Sequence, residues 1–249
     1  MHISYETQAT PGLENEDYVV AGPGWVALLD GATEPPGVRS GCVHDPGWLV
    51  RQLAGGLAAR LAVEDGTPLP DVLAGAIKDV GEAHCDTCDL GNPDSPSATV
   101  AIMRRRDEVL DWLVLADSPV LLDVDGEVRV VRDDRVDRLP SYTREAVRAA
   151  RNSPGGFWVA STRPEAAYEA LTGEAPVASV RRAALFSDGA ARLVERFGRI
   201  DWAELLELLD QAGPREVIRR TREAEAEPEA AARRGKQYDD ATAVLVHPA

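Results

Sequence analysis

Aspartates stand directly after apolar runs at three places in this chain of 249 residues. The runs WVALL, WLVLA and ALFS lead into Asp30, Asp117 and Asp188, and each aspartate is followed by a glycine or a serine. Taken singly, each has an ordinary explanation, because Asp-Gly and Asp-Ser are favoured in turns and aspartate caps helices. Taken together, they predict carboxylates at the ends of several core strands.

Acidic residues also flank two further predicted strands. Glu16 and Asp17 precede the strand that starts at Tyr18, and Asp239 precedes the apolar final run. If these strands lie side by side, four or five carboxylates converge, and their repulsion raises their pKa values unless cations neutralise them. Oxygen ligand sets without histidine suit hard cations such as Mg²⁺ or Mn²⁺. The sequence therefore predicts a divalent-metal site, and the candidate catalytic groups are Asp30, Asp188 and Asp239.

The first half of the chain carries signals for a hairpin and two helices. Residues 19–30 are typical of two short strands joined by a Gly-Pro-Gly turn. Asp45 and Pro46 form an N-cap and first-turn pair, and leucines recur every four residues after them. A second helix is predicted to begin at Thr67-Pro68 and to lie antiparallel to the first.

The second half begins with a β pattern. Residues 98–131 contain four apolar runs, the last two joined by an Asp-Gly turn, and predict an antiparallel meander. Another strand is predicted around residues 183–186, then a helix that Gly198 ends and a helix capped by Asp201. Residues 214–232 predict a helix whose charges form a solvated face.

The order of these elements is α+β rather than a regular alternation of strands and helices. It predicts two packed antiparallel β-sheets flanked by helical layers, an α-β-β-α sandwich, in a single domain over residues 1–249. Hydrophobic residues make up 44% of the chain, which is enough for a core of that size.

Composition narrows the classes of partner. A net charge of -15 argues against nucleic acid or an anionic membrane surface, because no long-range field attracts a polyanion. The sequence begins without a basic and apolar leader and contains no apolar run long enough to span a bilayer. Three cysteines argue against a disulfide framework. These features predict a cytoplasmic protein.

Six segments together carry a resemblance to a known family. In chain order they are NEDY, ALLDGAT, SPSATV, LVLADS, LFSDG and DDATAVLV. Their set and order resemble the metal-dependent type 2C serine/threonine protein phosphatases of bacterial type, over nearly the whole chain. The resemblance implies a sandwich of two antiparallel sheets with a site for two, or even three, Mn²⁺ or Mg²⁺ ions at one edge. It also implies a phosphorylated protein or a small phosphoester as substrate.

The resemblance also implies roles for individual residues. The metal ligands match Asp30, the carbonyl of Gly31, Asp188 and Asp239, and Asp117 matches the aspartate of a third, weaker ion. Glu16 and Asp17 match the acidic pair that holds water on the ions. Asp240 stands in place of the usual asparagine, and we expect it to orient the turn.

Three positions depart from the family pattern on the side of the substrate. Gly12 stands where the family has a phosphate-binding arginine, Ala32 replaces a histidine, and Pro119 replaces an arginine. Arg39 or Arg163 could take over the phosphate contact. Three hypotheses stay open at this point: a protein phosphatase, a catalytically weak regulatory or binding module, and a phosphatase for small metabolites.

A second cluster of chemically competent residues is unrelated to that family pattern. Cys85 and Cys88 form a CxxC beside His84, and Cys42 or His44 could complete a tetrahedral zinc site. The alternative is a set of buried thiols with a histidine at a helix end, because cysteine is often a simple core residue.

Overall fold

The computed structural model describes residues 1–32, 37–231 and 236–248, and these contain ten strands in two five-stranded sheets. In chain order the strands are β1 (His2–Gln8), β2 (Asp17–Gly22), β3 (Trp25–Gly31), β4 (Ala98–Arg106), β5 (Val109–Leu115), β6 (Val120–Val124), β7 (Glu127–Val131), β8 (Leu171–Pro176), β9 (Val180–Phe186) and β10 (Ala241–His247). One sheet has the order β1-β10-β9-β6-β7 and the other β2-β3-β4-β5-β8. Every pairing is antiparallel.

The two sheets share a central core. Val26 and Leu28 of β3 and Val244 and Val246 of β10 are completely buried in it. Successive side chains of a strand point to opposite faces, so Leu29 of β3 packs on the outer side of its sheet instead. These inner strands are therefore buried on both faces, and this explains why their sequences are mostly apolar.

Helices cover both outer faces. In chain order the helices of the described residues are α1 (Pro46–Leu61), α2 (Leu69–His84), α3 (Arg144–Ala150), α4 (Asp188–Glu195), α5 (Trp202–Ala212), α6 (Pro214–Ala226) and α7 (Pro228–Ala231), with short 3-10 turns at Pro164–Glu169 and Val177–Ser179. The pair α1 and α2 packs on the sheet that contains β3, and α4, α5 and α6 pack on the sheet that contains β10. The predicted α-β-β-α sandwich is confirmed.

Two of the predicted helix starts have the expected caps. The Asp45 side chain accepts a hydrogen bond from the Trp48 amide at 2.6 Å, at the start of α1. Asp201 and Glu204 form a reciprocal capping box at the start of α5. Each such cap satisfies amides that the first helical turn leaves without a partner.

The predicted meander over residues 98–131 is wrong in its second half. β4 and β5 pair in one sheet, but β6 and β7 belong to the other. The chain crosses between sheets after β5, where Ala116 has a left-handed backbone with φ of 66°. The Pro119 carbonyl then accepts a hydrogen bond from the Phe186 amide of β9 at 3.1 Å. Asp117 lies in this crossover.

The prediction that the charges of residues 214–232 form only a solvated face is also wrong, because α6 buries part of its polar surface. Glu225 of α6 is completely buried, and Thr221 on the same helix is too. Two edge strands, β1 and β8, are not predicted from apolar patterning, because an edge strand exposes much of its surface and needs fewer apolar residues. Thr33 of the segment ALLDGAT and Ala232 lie outside the described residues. No helix in the described part of the chain is both long and apolar enough to cross a membrane.

Candidate metal centre

The first side of the centre is the hairpin of β2 and β3. Asp17 and Asp30 are direct partners in the antiparallel register. The next residue, Gly31, donates its amide to the Glu16 carbonyl at 3.0 Å. A Cβ atom on Gly31 would lie 2.8 Å from that carbonyl and 3.1 Å from Pro46 at the start of α1. Glycine is therefore required for this close approach.

The second side of the centre is the junction of β9, α4 and β10. Ser187 donates its amide to the Thr242 carbonyl at 3.0 Å and accepts the Thr242 amide on its hydroxyl at 2.9 Å. A Cβ atom on Gly189 would lie 1.8 Å from the Asp240 carbonyl, so only glycine fits there. This contact holds Asp188, the first residue of α4, against the segment that carries Asp239.

Asp17 has the surroundings of a cation ligand. One carboxylate oxygen accepts a hydrogen bond from the Thr242 hydroxyl at 2.6 Å, while the other is buried without a hydrogen-bond partner among the described residues. Burial raises the pKa of Asp17 to about 7, assisted by Asp240 and Asp188 and opposed by the hydroxyls of Thr242 and Ser187. A buried carboxylate oxygen without a proton donor is costly, and a hard cation removes that cost.

The other aspartates share this environment. Burial raises the pKa of Asp30 well above its usual value, and the charges of Asp17, Asp188, Asp117 and Asp239 raise it further. Burial also raises the pKa of Asp188 to about 7 and that of Asp117 to about 6. The structure thus brings the five predicted aspartates into one mutually repelling group.

Asp239 differs from the other four because cations already face it. Arg192 donates to one carboxylate oxygen at 2.6 Å, and Lys236 donates to the other at 3.0 Å. Arg192 also donates to the buried Glu225 at 2.7 Å. Arg222 donates to Glu225 at 2.6 Å and to the backbone carbonyl of Asp239 at 2.7 Å. This buried network fixes the position of Asp239, two residues before β10 begins.

Sequence reasoning missed Arg192, Glu225 and Arg222. A signal was present for Arg192, which follows Asp188 by four residues and therefore lies on the same side of α4. No local signal marks Glu225, because its partners come from other elements.

Asp240 orients the chain, as expected. Its two carboxylate oxygens accept the amides of Thr10 and Glu16, both at 2.6 Å. Asp240 thereby fixes the backbone of Glu16, the residue before Asp17. Gly12 lies exposed in the same loop with φ of 81°.

The remaining candidates lie apart from the aspartates. Arg39 and Arg163 are exposed, and neither contacts an aspartate of the centre among the described residues. Arg163 donates instead to the Asn152 carbonyl at 3.0 Å. Cys42 and Cys88 lie together near the end of α2, but Cys85 is exposed and points its thiol towards the Glu82 carbonyl at 3.4 Å.

The raised pKa values predict how the metal-free protein responds to pH. Asp17 and Asp188 have a pKa of about 7 in the folded protein, and an unfolded aspartate has a pKa near 4. At a pH between these two values, such an aspartate is protonated in the folded state and ionised in the unfolded state. The free energy of unfolding of chelator-treated protein should therefore fall as pH rises from about 4 to about 7. We expect a loss of more than ~1.4 kcal/mol, the equivalent of one pKa unit for one group. Urea unfolding across this range measures it.

Groups with lowered pKa values act elsewhere on the pH scale. Arg219 and Arg220 lower the pKa of Glu216 to about 2, so its contribution changes below this window. Asp188→Asn should flatten the fall, and saturating Mn²⁺ should reverse it because the ion binds the deprotonated carboxylates. A constant or rising stability of the metal-free protein would contradict the burial of these groups.

The family of the chain is shown by a match to a family model. Residues 8–244 match the family model described as protein phosphatase 2C. No curated protein matches the chain.

Several solved structures share the fold. The catalytic domain of the serine/threonine protein phosphatase PstP, in complex with two manganese ions, is 21% identical with a TM-score of 0.57, covering 98% of this chain and 96% of that chain. Serine/threonine phosphatase Stp1 from Staphylococcus aureus is 12% identical with a TM-score of 0.65, covering 98% and 94%. The phosphatase MsPP from Mycobacterium smegmatis, in complex with cacodylate, is 20% identical with a TM-score of 0.58, covering 100% and 99%. The structures show the common fold, and the match over residues 8–244 shows that the chain belongs to the protein phosphatase 2C family.

Proposed function

We propose that this chain is a metal-dependent phosphatase that hydrolyses phosphoserine and phosphothreonine in proteins. The observation that carries the proposal is the buried aspartate group, in which one oxygen of Asp17 has no hydrogen-bond partner within the described part of the chain. Membership of the protein phosphatase 2C family supports the same reaction. The family match does not favour the two alternatives, a regulatory module and a phosphatase for small metabolites.

The residues divide between binding ions and orienting water. In this proposal Asp30, the carbonyl of Gly31, Asp188 and Asp239 would hold two Mn²⁺ or Mg²⁺ ions, and Asp117 would hold a third, weaker one. Glu16 and Asp17 would orient water beside them. When bound, such ions would lower the pKa of a water molecule and neutralise the phosphoryl oxygens. Hydrogen bonds from Arg192 and Lys236 hold the Asp239 carboxylate in place.

The chain offers no better nucleophile than water at this place. Ser187 precedes Asp188, but its hydroxyl is completely buried and accepts the Thr242 amide. A serine nucleophile needs a neighbouring base to activate it, and the four histidines of the chain, His2, His44, His84 and His247, lie outside this junction. Direct attack by water fits the residues better than a covalent intermediate does.

Lys236 is our candidate for the substrate phosphate contact in place of Gly12. Its side chain is half exposed and its ammonium lies 3.0 Å from Asp239. Burial lowers the pKa of Lys236, but the charges of Asp239, Asp188 and Asp30 outweigh this and raise it, so the side chain stays cationic. An exposed ammonium at the rim of the aspartate group is placed to meet a phosphoryl oxygen. Arg39 and Arg163 remain the alternatives.

A cavity beside the end of β3 supports a polypeptide as substrate. It has a volume of ≈ 260 Å³ and starts at Ala32, next to Gly31. Arg144 and Arg148 line it, and both pair with Asp94, at 3.7 and 3.2 Å. A peptide bound over the ions could lay its flanking residues in this cavity.

Phosphate release from a substrate panel tests the function and the role of Lys236 together. Wild-type protein is assayed with phosphothreonine peptides and with small phosphoesters, in Mn²⁺, Mg²⁺ or EDTA. We expect a higher kcat/KM for peptides and no turnover in EDTA. Lys236→Met should raise KM about tenfold, the effect of losing one charge-assisted hydrogen bond of ~1.4 kcal/mol.

Lys78 gives a matched control, because it is the other lysine of the chain and lies exposed on α2, paired with Glu82 at 3.6 Å. Lys78→Met should leave KM unchanged. An unchanged KM in Lys236→Met, with a loss in Arg39→Met or Arg163→Met, would assign the phosphate contact to that arginine. Preference for small phosphoesters would overturn the protein substrate, and folded protein without turnover in either metal would overturn the enzyme.

A further inference from the structure

Four potential metal ligands of a different chemical type meet at the end of α2. They are Cys42 and His44 from the loop before α1, and His84 and Cys88 from the end of α2 and the turn after it. The ligand atoms of Cys42, His84 and Cys88 all lie within 4.8 Å of one another. His44 Nδ1 lies 3.6 Å from the Cys42 sulfur and 3.5 Å from the Cys88 sulfur.

The spacing between His44 and the two sulfurs is that of a zinc site. Zinc bonds of ~2.3 Å to sulfur and ~2.0 Å to nitrogen, in a tetrahedron, separate the two kinds of ligand by about 3.5 Å. The two sulfurs are 2.8 Å apart, whereas two thiolates on zinc lie about 3.8 Å apart and a disulfide bond is about 2.05 Å long. The distance between the sulfurs alone therefore fits neither a zinc site nor a disulfide bond. The two histidines favour zinc, because a disulfide needs no imidazole beside it.

His84 is already oriented as a metal-ligating histidine is. It is almost completely buried, and its Nδ1 atom bonds to the Val80 carbonyl one helical turn earlier. A carbonyl only accepts hydrogen bonds, so Nδ1 carries the proton and the lone pair of the ring is on Nε2. Such a backbone hydrogen bond fixes the tautomer and the ring plane of a ligating histidine.

Backbone amides also point at the sulfurs. The amide of Val43 donates to the Cys88 sulfur and the amide of His44 to the Cys42 sulfur, each at 3.4 Å. Amide donors stabilise the thiolate form, which is the form that binds metals. Trp48 of α1 stacks on the His44 ring at 3.8 Å and lies edge-on to the His84 ring at 5.1 Å.

From these contacts we propose that Cys42, His44, His84 and Cys88 bind one structural Zn²⁺ ion. The set corrects the sequence prediction in one position, since His84 replaces the exposed Cys85. Four protein ligands close the coordination sphere, so the ion would have no open position for chemistry. Sulfur and nitrogen ligands also distinguish this site from the oxygen ligands of the aspartate centre.

The position of the site gives it a structural task. It joins the loop before α1 to the turn after α2, and two hydrogen bonds lie in parallel: Asp89 donates its amide to the Gly41 carbonyl at 2.8 Å, and Asn92 donates to the Arg39 carbonyl at 3.0 Å. Because Pro46 at the start of α1 packs against Gly31, a clamp on this loop supports the end of β3, where Asp30 lies.

Zinc analysis of the purified protein tests the proposal. The protein is prepared without a metal-affinity tag, kept reduced, and passed through mild chelator that removes weakly held ions. We expect one zinc per chain in the wild type. Exchange for Co²⁺ should give the strong visible absorption of a tetrahedral site and a near-ultraviolet band from thiolate ligation.

Cys85 provides the matched control, because it is a neighbouring cysteine outside the proposed set. Cys85→Ser should keep the zinc, while Cys88→Ser and His84→Gln should lose it and unfold at a lower temperature. If a ligand variant fails to fold, the cobalt spectrum of the wild type still decides. Reduced wild-type protein that holds no zinc and gives no tetrahedral cobalt spectrum would overturn the proposal, as would equal loss of zinc in Cys85→Ser.

Discussion

Asp188→Asn should lower kcat for Mn²⁺-dependent hydrolysis of a phosphothreonine peptide by on the order of 10³-fold, because the amide cannot provide the charge that holds the ions. Asp30→Asn should have an effect of the same size. Both residues have raised pKa values through burial and through neighbouring carboxylates, so their charges are unfavourable without cations. Initial rates at saturating Mn²⁺, with folding checked by circular dichroism, measure the effect.

Asp125 is the matched control for this experiment. It precedes Gly126 in an Asp-Gly pair like Asp30-Gly31, but it lies exposed in the turn between β6 and β7 with φ of 53°. Asparagine tolerates that backbone as aspartate does, so Asp125→Asn should keep wild-type kcat. Substantial turnover in folded Asp30→Asn or Asp188→Asn would contradict their proposed roles as metal ligands.

Glu225→Gln should lower the free energy of unfolding by about 3 kcal/mol, the cost of breaking a buried ion pair. The carboxylate is completely buried between Arg192 and Arg222, at 2.7 and 2.6 Å. Glutamine keeps the size of the side chain but removes the charge that balances two guanidinium groups. Urea unfolding in the presence of EDTA measures this loss without a contribution from bound ions.

Glu223→Gln separates the effect of burial from that of charge on α6. Glu223 pairs with Arg219, but both side chains are more than half exposed, and exposed ion pairs contribute at most about 1 kcal/mol. This variant should change stability by less than ~0.5 kcal/mol. Equal losses in the two variants would show that Glu225 acts as one more surface charge and would remove the network from the account of Asp239.

The aspartate group was the most predictable part of this molecule. Asp30 and Asp188 follow buried strands and precede glycines, and both features are local. The structure adds why glycine is needed: the Gly31 and Gly189 positions press against the backbone of Glu16 and Asp240. The family resemblance then implied that these strand ends meet at one metal site.

Other features could not be read from local pattern. β5 and β6 are both largely apolar and buried, so nothing in their sequences says that the chain changes sheets at Ala116. The charges of α6 look alike in sequence, and only the fold around Arg192 shows that Glu225 is internal. A CxxC motif suggests both of its cysteines, but the way α2 ends turns Cys85 outward and His84 inward.

The most direct test of the central claim is a calorimetric titration of Mn²⁺ into chelator-treated wild-type protein near pH 6.5. The account predicts at least two ions per chain, with release of protons because Asp17 and Asp188 titrate near 7. Asp30→Asn should bind fewer ions. Folded wild-type protein that binds no Mn²⁺, or binds it equally well after Asp30→Asn, would contradict the claim that these aspartates form a divalent-metal centre.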